Sequence, residues 1–164
     1  MKRVILTLLA LLPLTVPAAT NSWSLAGPDE RCVISVSLSQ QGELSYQVCR
    51  SGKPVLLRSP LGVRRDDQSF ERGLVLEDAG QTGSRRETYE LFAGVAPRVD
   101  HLVNHRSLVF RNARNARIIL DLAASNEGVA FRYRFGEQSP RLYVLQAELT
   151  GFAVPPTARG WLQP

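Results

Sequence analysis

The chain has 164 residues, of which 44% are hydrophobic, and 20 lysines and arginines stand against 15 aspartates and glutamates. That length is enough for one domain with a substantial core. The basic side chains are scattered, often beside acidic ones, and form no stripe with aromatic residues, which argues against nucleic acid binding.

The first residues have the three parts of a secretory signal peptide. Two basic residues open the chain, residues 4–14 are apolar, and Ala18 ends a small-residue cleavage site. The apolar run is short and interrupted by proline, so an uncleaved anchor is the weaker interpretation, and no other segment is long or apolar enough to span a membrane. We therefore expect a signal peptide over 1–18, a mature domain over 19–164 with a net charge of +3, and a periplasmic or secreted location with no membrane partner.

The two cysteines lie in a predicted hairpin whose turn is at residues 40–42. Apolar residues face each other across the hairpin when Cys32 pairs with Arg50. This register places Gly42 at the turn position that favours positive φ. Cys49 then lies on the opposite face, so a bond to Cys32 needs a bulge or a one-residue slip. An oxidising compartment nevertheless favours a Cys32–Cys49 disulfide, with two free thiols as the alternative.

Alternation of apolar and polar residues recurs along the chain, whereas helical periodicity is nearly absent beyond the signal peptide. The predicted strands are 32–38, 43–50, 55–58, 74–77, 87–92, 106–111, 117–123, 129–135 and 141–149. The last two are expected to form a hairpin with each other, and the polar, glycine-rich residues 78–84 to form a mobile loop. Short strands at this spacing predict an all-β sandwich or barrel.

Residues 126–135, with the sequence NEGVAFRYRF, form the most specific motif in the chain. A turn leads into a strand with Val129, Phe131, Tyr133 and Phe135 on one side. The sequence of this motif resembles the "D-G-V-A-F-R-Y" signature of the N-terminal domain of glycoside hydrolase family 97, which comprises secreted bacterial α-glucosidases and α-galactosidases. Further similar stretches follow the family's order, at residues 24–29, 44–48, 52–55, 59–62, 86–89, 148–152 and Trp161.

The resemblance implies a β-sandwich of the galactose-mutarotase-like, or supersandwich, type, with fewer strands than the family's complete domain. It also implies that the catalytic (β/α)₈ barrel and the calcium ligands fall beyond Pro164, so we expect no catalytic residue, metal site or cofactor here. The implied function is that of a non-catalytic, carbohydrate-associated domain that binds sugar or supports a barrel. The alternatives are a hydrolase fragment whose barrel is lost or lies in another reading frame, and a stand-alone periplasmic interaction module.

The candidate carbohydrate-binding residues are His101, Asn104 and Trp161. The first two lie in 99–105, where the family has "R-N-H-Y-N-E", and the third lies near the family's conserved tryptophan motif. Sugar rings also stack on exposed aromatic faces. The aromatic candidates for such a platform are Trp23, Tyr89, Tyr133, Tyr143 and Trp161.

The residues themselves give little support to catalysis. Glycoside hydrolysis needs two carboxyl groups facing each other across a sugar. The adjacent acids at 66–67 and at 77–78 would point to opposite faces of a strand or lie in solvated loops, which favours surface charge. His101 and His105 share a strand face, but no third ligand completes a zinc site.

Overall fold

The computed structural model describes residues 21–90 and 98–159, which form antiparallel β-strands without a helix, and therefore contain no helix that could cross a membrane. The predicted signal peptide, the end of the predicted 87–92 strand and Trp161 lie outside the described residues. The strands are β1 Asn21–Ala26, β2 Cys32–Leu38, β3 Leu44–Arg50, β4 Lys53–Leu61, β5 Val63–Arg65, β6 Val75–Asp78, β7 Gly83–Glu90, β8 Arg98–Arg111, β9 Arg117–Ala124, β10 Val129–Phe135 and β11 Leu145–Glu148. The all-β prediction is confirmed.

Two main sheets pack face to face as a sandwich. The smaller has the strand order β1-β2-β3-β4, and the larger has the order β10-β9-β8-β6 with β7 also paired to β8. Alternate residues of each strand point inward, as β2 shows with every second side chain buried. The fully buried core joins both sheets, with Ile34 and Tyr46 from one and Leu108, Phe110 and Leu120 from the other.

The predicted register of the β2–β3 hairpin is confirmed. Cys32 pairs with Arg50, and Gly42 closes the turn with a φ of 71°. The favoured disulfide is wrong, because Cys32 and Cys49 are both free thiols. The register explains why: Cys49 pairs with Val33, one position away from Cys32, so the two side chains leave opposite faces of the sheet.

The second predicted hairpin, β8–β9, is also confirmed, with Arg111 paired to Arg117. The hairpin predicted between 129–135 and 141–149 is wrong. β10 pairs only with β9, whereas β11 pairs with β5 in a separate two-stranded sheet. Both segments contain a strand, but their local sequence does not specify which strand each one pairs with.

The chain after β11 continues along β4 as an irregular edge strand. Backbone N–H groups of Leu149 and Gly151 donate to the carbonyls of Gly62 and Pro60, and that of Leu57 donates to Ala153. The Tyr133 hydroxyl bridges this segment to β10, since it accepts from the Gly62 N–H at 3.1 Å and bonds the Thr150 hydroxyl at 2.9 Å. Residues 149–153 therefore lie along the outer edge of the smaller sheet, next to β4.

The loop between β6 and β7 packs against β8. Arg106 donates through Nε to the Ala79 carbonyl at 2.8 Å, and Gly80, with a φ of 55°, lies so near β8 that a Cβ would stand 2.2 Å from the Ser107 carbonyl oxygen. The predicted mobility of 78–84 stays a prediction. The loop leads into β7, which pairs with β8 from Arg98 to His105, whereas β9 pairs with β8 only from Asn104 onward. We call β7 and residues 98–103 the β7–β8 arm.

Candidate functional site

Of the three predicted carbohydrate-binding residues, His101 lies on the β7–β8 arm, and Asn104 lies just after the arm on β8, on the opposite strand face. The Asn104 amide links β8 to β1 and β7. Its Nδ2 donates to the Ala26 carbonyl at 2.9 Å, and its Oδ1 accepts from the Ser84 hydroxyl at 2.6 Å. Both ends of the amide therefore have protein partners, and sugar binding by Asn104 stays a prediction.

His101 lies on the outer face of the arm in a small polar cluster. Its Nε2 is 3.5 Å from Glu87 Oε2, and its ring stands edge-on to Tyr89 with centroids 6.1 Å apart. Glu87 also accepts a hydrogen bond from Arg85, and that guanidinium lowers the pKa of the Glu87 carboxyl. Tyr89 is 47% exposed. An exposed ring beside a carboxylate and an imidazole is a suitable arrangement for stacking and hydrogen bonding to a sugar.

The outer face of the larger sheet continues from the arm into an open cleft of about 430 Å³. We call it the arginine groove. Its lining includes Arg85, His105, Asp121, Arg132 and Arg134, and the small side chains of Ala123 and Ala130 lie between them.

Asp121 holds two of these arginines in place. Arg134 donates to its carboxylate through Nε and Nη2 at 3.0 and 3.1 Å, and Arg132 donates through Nε at 3.1 Å. The Ser107 hydroxyl donates a further hydrogen bond at 2.7 Å. These donors, Arg134 first, lower the pKa of Asp121 to about 2.

A second charged cluster surrounds a buried arginine. The Arg65 guanidinium is 3% exposed and donates to Asp67 and Glu137 at 2.9 to 3.0 Å. It also lies 4.1 Å from the centroid of the Tyr143 ring and 4.6 Å from that of Phe135. This cluster fixes the segment that leads into β11, and it raises the pKa of the arginine.

The adjacent acids do not form a glycosidase pair. Asp67 accepts from Arg65 and Glu77 from Arg117, and each arginine lowers the pKa of its carboxyl partner. A general acid needs the opposite shift. Within residues 21–90 and 98–159, no group of three or more His, Cys, Asp or Glu side chains could hold a metal ion.

The arginine groove and the Arg65 cluster were both missed by the sequence reasoning. One signal was available for Arg65, which shares its strand face with Val63 and therefore points inward. For the groove, the alternation of β10 predicts that Arg132 and Arg134 share an outer face. The partner Asp121 becomes visible only through the pairing of β10 with β9.

The fold and these clusters define an all-β sandwich domain without a recognisable catalytic pair among its described residues. The family described as "Glycosyl-hydrolase 97 N-terminal" matches residues 25–164, and this chain belongs to that family.

Related proteins agree with this assignment. A probable retaining alpha-galactosidase of Streptomyces bingchenggensis (strain BCW-1) is 31% identical over 152 residues, which cover 88% of this chain and 23% of the relative. The crystal structure of a beta-arabinopyranosidase matches with a TM-score of 0.75 and 25% identity, over 81% of this chain and 21% of that one. A family 97 enzyme (E480Q) in complex with panose, from Pseudoalteromonas sp. strain K8, matches with a TM-score of 0.69 and 23% identity. The match covers 80% of this chain and 20% of that enzyme. The chain thus spans less than a quarter of the length of these relatives.

Proposed function

We propose that this chain serves as a non-catalytic supporting domain that docks against the catalytic barrel of a family 97 glycosidase. The observation that carries the proposal is an uncovered apolar surface along the 142–154 segment. Six of the eleven exposed large hydrophobic residues of the described chain lie there. We call them the apolar strip: Leu142, Val144, Leu145, Leu149, Phe152 and Val154.

The apolar side chains of the strip are highly exposed to solvent. Leu142 is 91% exposed and Phe152 is 67% exposed, and on the neighbouring strand Val55 and Leu57 extend the surface. Contiguous exposed apolar patches mark interaction sites, because covering them releases about 25 cal/mol for each Å² removed from water.

The backbone of the same segment also offers hydrogen-bonding groups. Residues 149–153 bond to β4 on one side, and within the described part of the chain no strand pairs with their other side. An unpaired edge beside apolar side chains can accept a further strand or a packed loop. The coverage of the relatives, at less than a quarter of their length, supports the rest of a longer enzyme as the partner.

Sedimentation of the purified chain tests whether the apolar strip is an uncovered interaction surface. We expect the chain alone to self-associate as its concentration rises, and the double variant Leu142→Ser with Phe152→Ser to stay monomeric. The matched control replaces two exposed apolar residues outside the strip, Val75→Ser with Leu102→Ser, and should associate like the unmodified chain. A chain that stays monomeric throughout, or a control that also loses association, contradicts the proposal.

A second candidate function is direct sugar contact at the β7–β8 arm. Among the aromatic candidates within the described residues, only Tyr89 is exposed: Trp23 packs edge-on against Phe110, the Tyr133 hydroxyl is bonded to Thr150, and Tyr143 covers Arg65. Tyr89 is thus the residue on which a pyranose ring could stack, with Glu87 and His101 as hydrogen-bonding neighbours.

Calorimetric titration with maltose-type and galactose-type oligosaccharides tests this contact. Binding should weaken about fivefold in Tyr89→Ala, since a stacked aromatic contributes on the order of 1 kcal/mol. Leu102→Ala, on the opposite face of the arm, should bind like the unmodified chain. Absence of heat at millimolar sugar removes this second function and leaves the docking proposal standing.

A further inference from the structure

We infer that the arginine groove is a binding site for an acidic oligosaccharide, one that carries carboxylates on successive sugar rings. The site is separate from the apolar strip and does not depend on Tyr89. Three features carry the inference: the fixed guanidinium groups, the small-residue floor between them, and the charge of the lining.

The guanidinium groups are held in place before any ligand arrives. Arg134 is tied to Asp121 by two hydrogen bonds and Arg132 by one. Since Arg132 uses only Nε and Arg134 only Nε and Nη2 in these bonds, the remaining N–H groups are available to a carboxylate. Paired guanidinium N–H donors match the two oxygens of a carboxylate, and fixing the donors in advance reduces the entropy lost on binding.

The floor of the groove is set by the register of four neighbouring strands. Ala130 pairs with Ala123, which pairs with His105, which pairs with Gly83. The His105 ring leans over Gly83, because a Cβ built on that glycine would stand 2.7 Å from its Nε2. The two alanines are therefore left as a low apolar surface beside the ring, suited to the C–H face of a sugar.

The positive charges flank this floor from two sides. Arg132 lies in the row through Asp121 and Ser107, and Arg85 lies in the row through Val103, on the far side of His105. Ser107 and Val103 are four residues apart on one strand, or about 13 Å. Charges spread over that length suit an extended ligand with repeated carboxylates better than a single small anion.

The lining has an excess of positive charge. Its arginines are Arg85, Arg132 and Arg134, and the acids that face them are Asp121 in the groove and Glu87 beside it on the arm. One net positive charge remains from this count, and the side chains of Arg85 and Arg132 are 69% and 75% exposed. A neutral sugar would leave the outward N–H groups to water, whereas an acidic one would bind them.

NMR titration of the isotope-labelled chain with a galacturonate trimer, and with a galactose trimer as the neutral counterpart, tests this site. We expect the acidic trimer to shift the amide signals of β9 and β10 around Ala123 and Ala130, with an affinity at least about tenfold higher than that of the neutral trimer. Arg132→Gln with Arg134→Gln should lower that affinity at least tenfold. The control, Arg86→Gln, removes one arginine from the opposite face of the arm, where its side chain is 71% exposed, and should bind as before.

Three outcomes would overturn the inference. The first is the absence of any shift around the groove. The second is an equal loss of affinity in Arg86→Gln, which would indicate general attraction by a basic surface. The third is equally tight binding of inorganic phosphate, which would indicate a simple anion site. The variants replace side chains on the surface, and an amide spectrum that keeps its native dispersion would verify that the fold is intact.

Discussion

Glu137 accepts two parallel hydrogen bonds from the buried guanidinium of Arg65, one from each terminal nitrogen at 3.0 Å. The pair joins β5 to the segment that follows β10, residues that are 72 positions apart in sequence. Tyr143 covers the same guanidinium from the segment before β11. One arginine therefore links both ends of the crossing from the larger sheet to the edge of the smaller one.

Replacing Arg65 should destabilise the domain strongly. Arg65→Ala leaves Asp67 and Glu137 without their cation and removes the group that Tyr143 covers, for an expected loss of about 3 kcal/mol in the free energy of unfolding. Arg65→Lys should lose about 2 kcal/mol, because an ammonium cannot reproduce the paired hydrogen bonds. Chemical denaturation measures both values. Arg64→Ala, an exposed neighbour paired with Glu71, is the control and should change stability by less than about 1 kcal/mol.

Two glycines with nearly the same backbone angle should respond differently to alanine. Gly42 has a φ of 71°, and a Cβ there would stand 2.3 Å from the backbone nitrogen of Leu74. Gly52 has a φ of 75° with nothing within 4 Å of that position. Gly52→Ala should therefore lower the free energy of unfolding by about 1 to 2 kcal/mol, which is the cost of a left-handed backbone at a residue with a Cβ. Gly42→Ala should lower it clearly more, because its Cβ would also meet the backbone of Leu74. Equal thermal stability of the two variants would show that the approach of Leu74 is not tight.

The Asp121 carboxyl should titrate near pH 2 because Arg134 and Arg132 donate to it. A pKa lowered from 3.8 means that the folded state binds the proton less readily than the unfolded state. The resulting stability, about 2 kcal/mol, is present above pH 4 and disappears as the pH falls through about 2. Carbon NMR of the carboxyl group measures the value directly. Arg134→Gln should raise the pKa of Asp121, whereas Arg86→Gln should leave it unchanged; no rise in Arg134→Gln would contradict the geometry.

The two cysteines should behave as free thiols of unequal access. Cys32 is buried in β2, whereas Cys49 is partly exposed on the outer face of β3. A maleimide reagent should therefore label Cys49 first in the folded chain, and both cysteines after denaturation without reductant. Mass spectrometry of the labelled peptides reads the order. Recovery of a single cross-linked peptide pair in place of two labelled thiols would show that Cys32 and Cys49 form a disulfide, contrary to the hairpin register.

Local alternation was sufficient to predict the β2–β3 hairpin, because its apolar face, its three-residue turn and Gly42 all specify one register. It was not sufficient for β11. The partner of β11 is determined by contacts distant in sequence, such as Arg65 with Glu137 and Tyr133 with Gly62. The alternation of neighbouring residues cannot predict such contacts. The arginine groove was hidden for the same reason, since its residues come from four strands.

Binding of this chain to a catalytic barrel tests the docking proposal most directly. The catalytic region of a family 97 enzyme, produced without its own N-terminal domain, is titrated with this chain in a calorimeter. We predict a saturable complex that is lost in Leu142→Ser with Phe152→Ser and kept in Val75→Ser with Leu102→Ser. Absence of a complex with the unmodified chain, or equal loss in both double variants, would contradict the claim that the apolar strip is a docking surface.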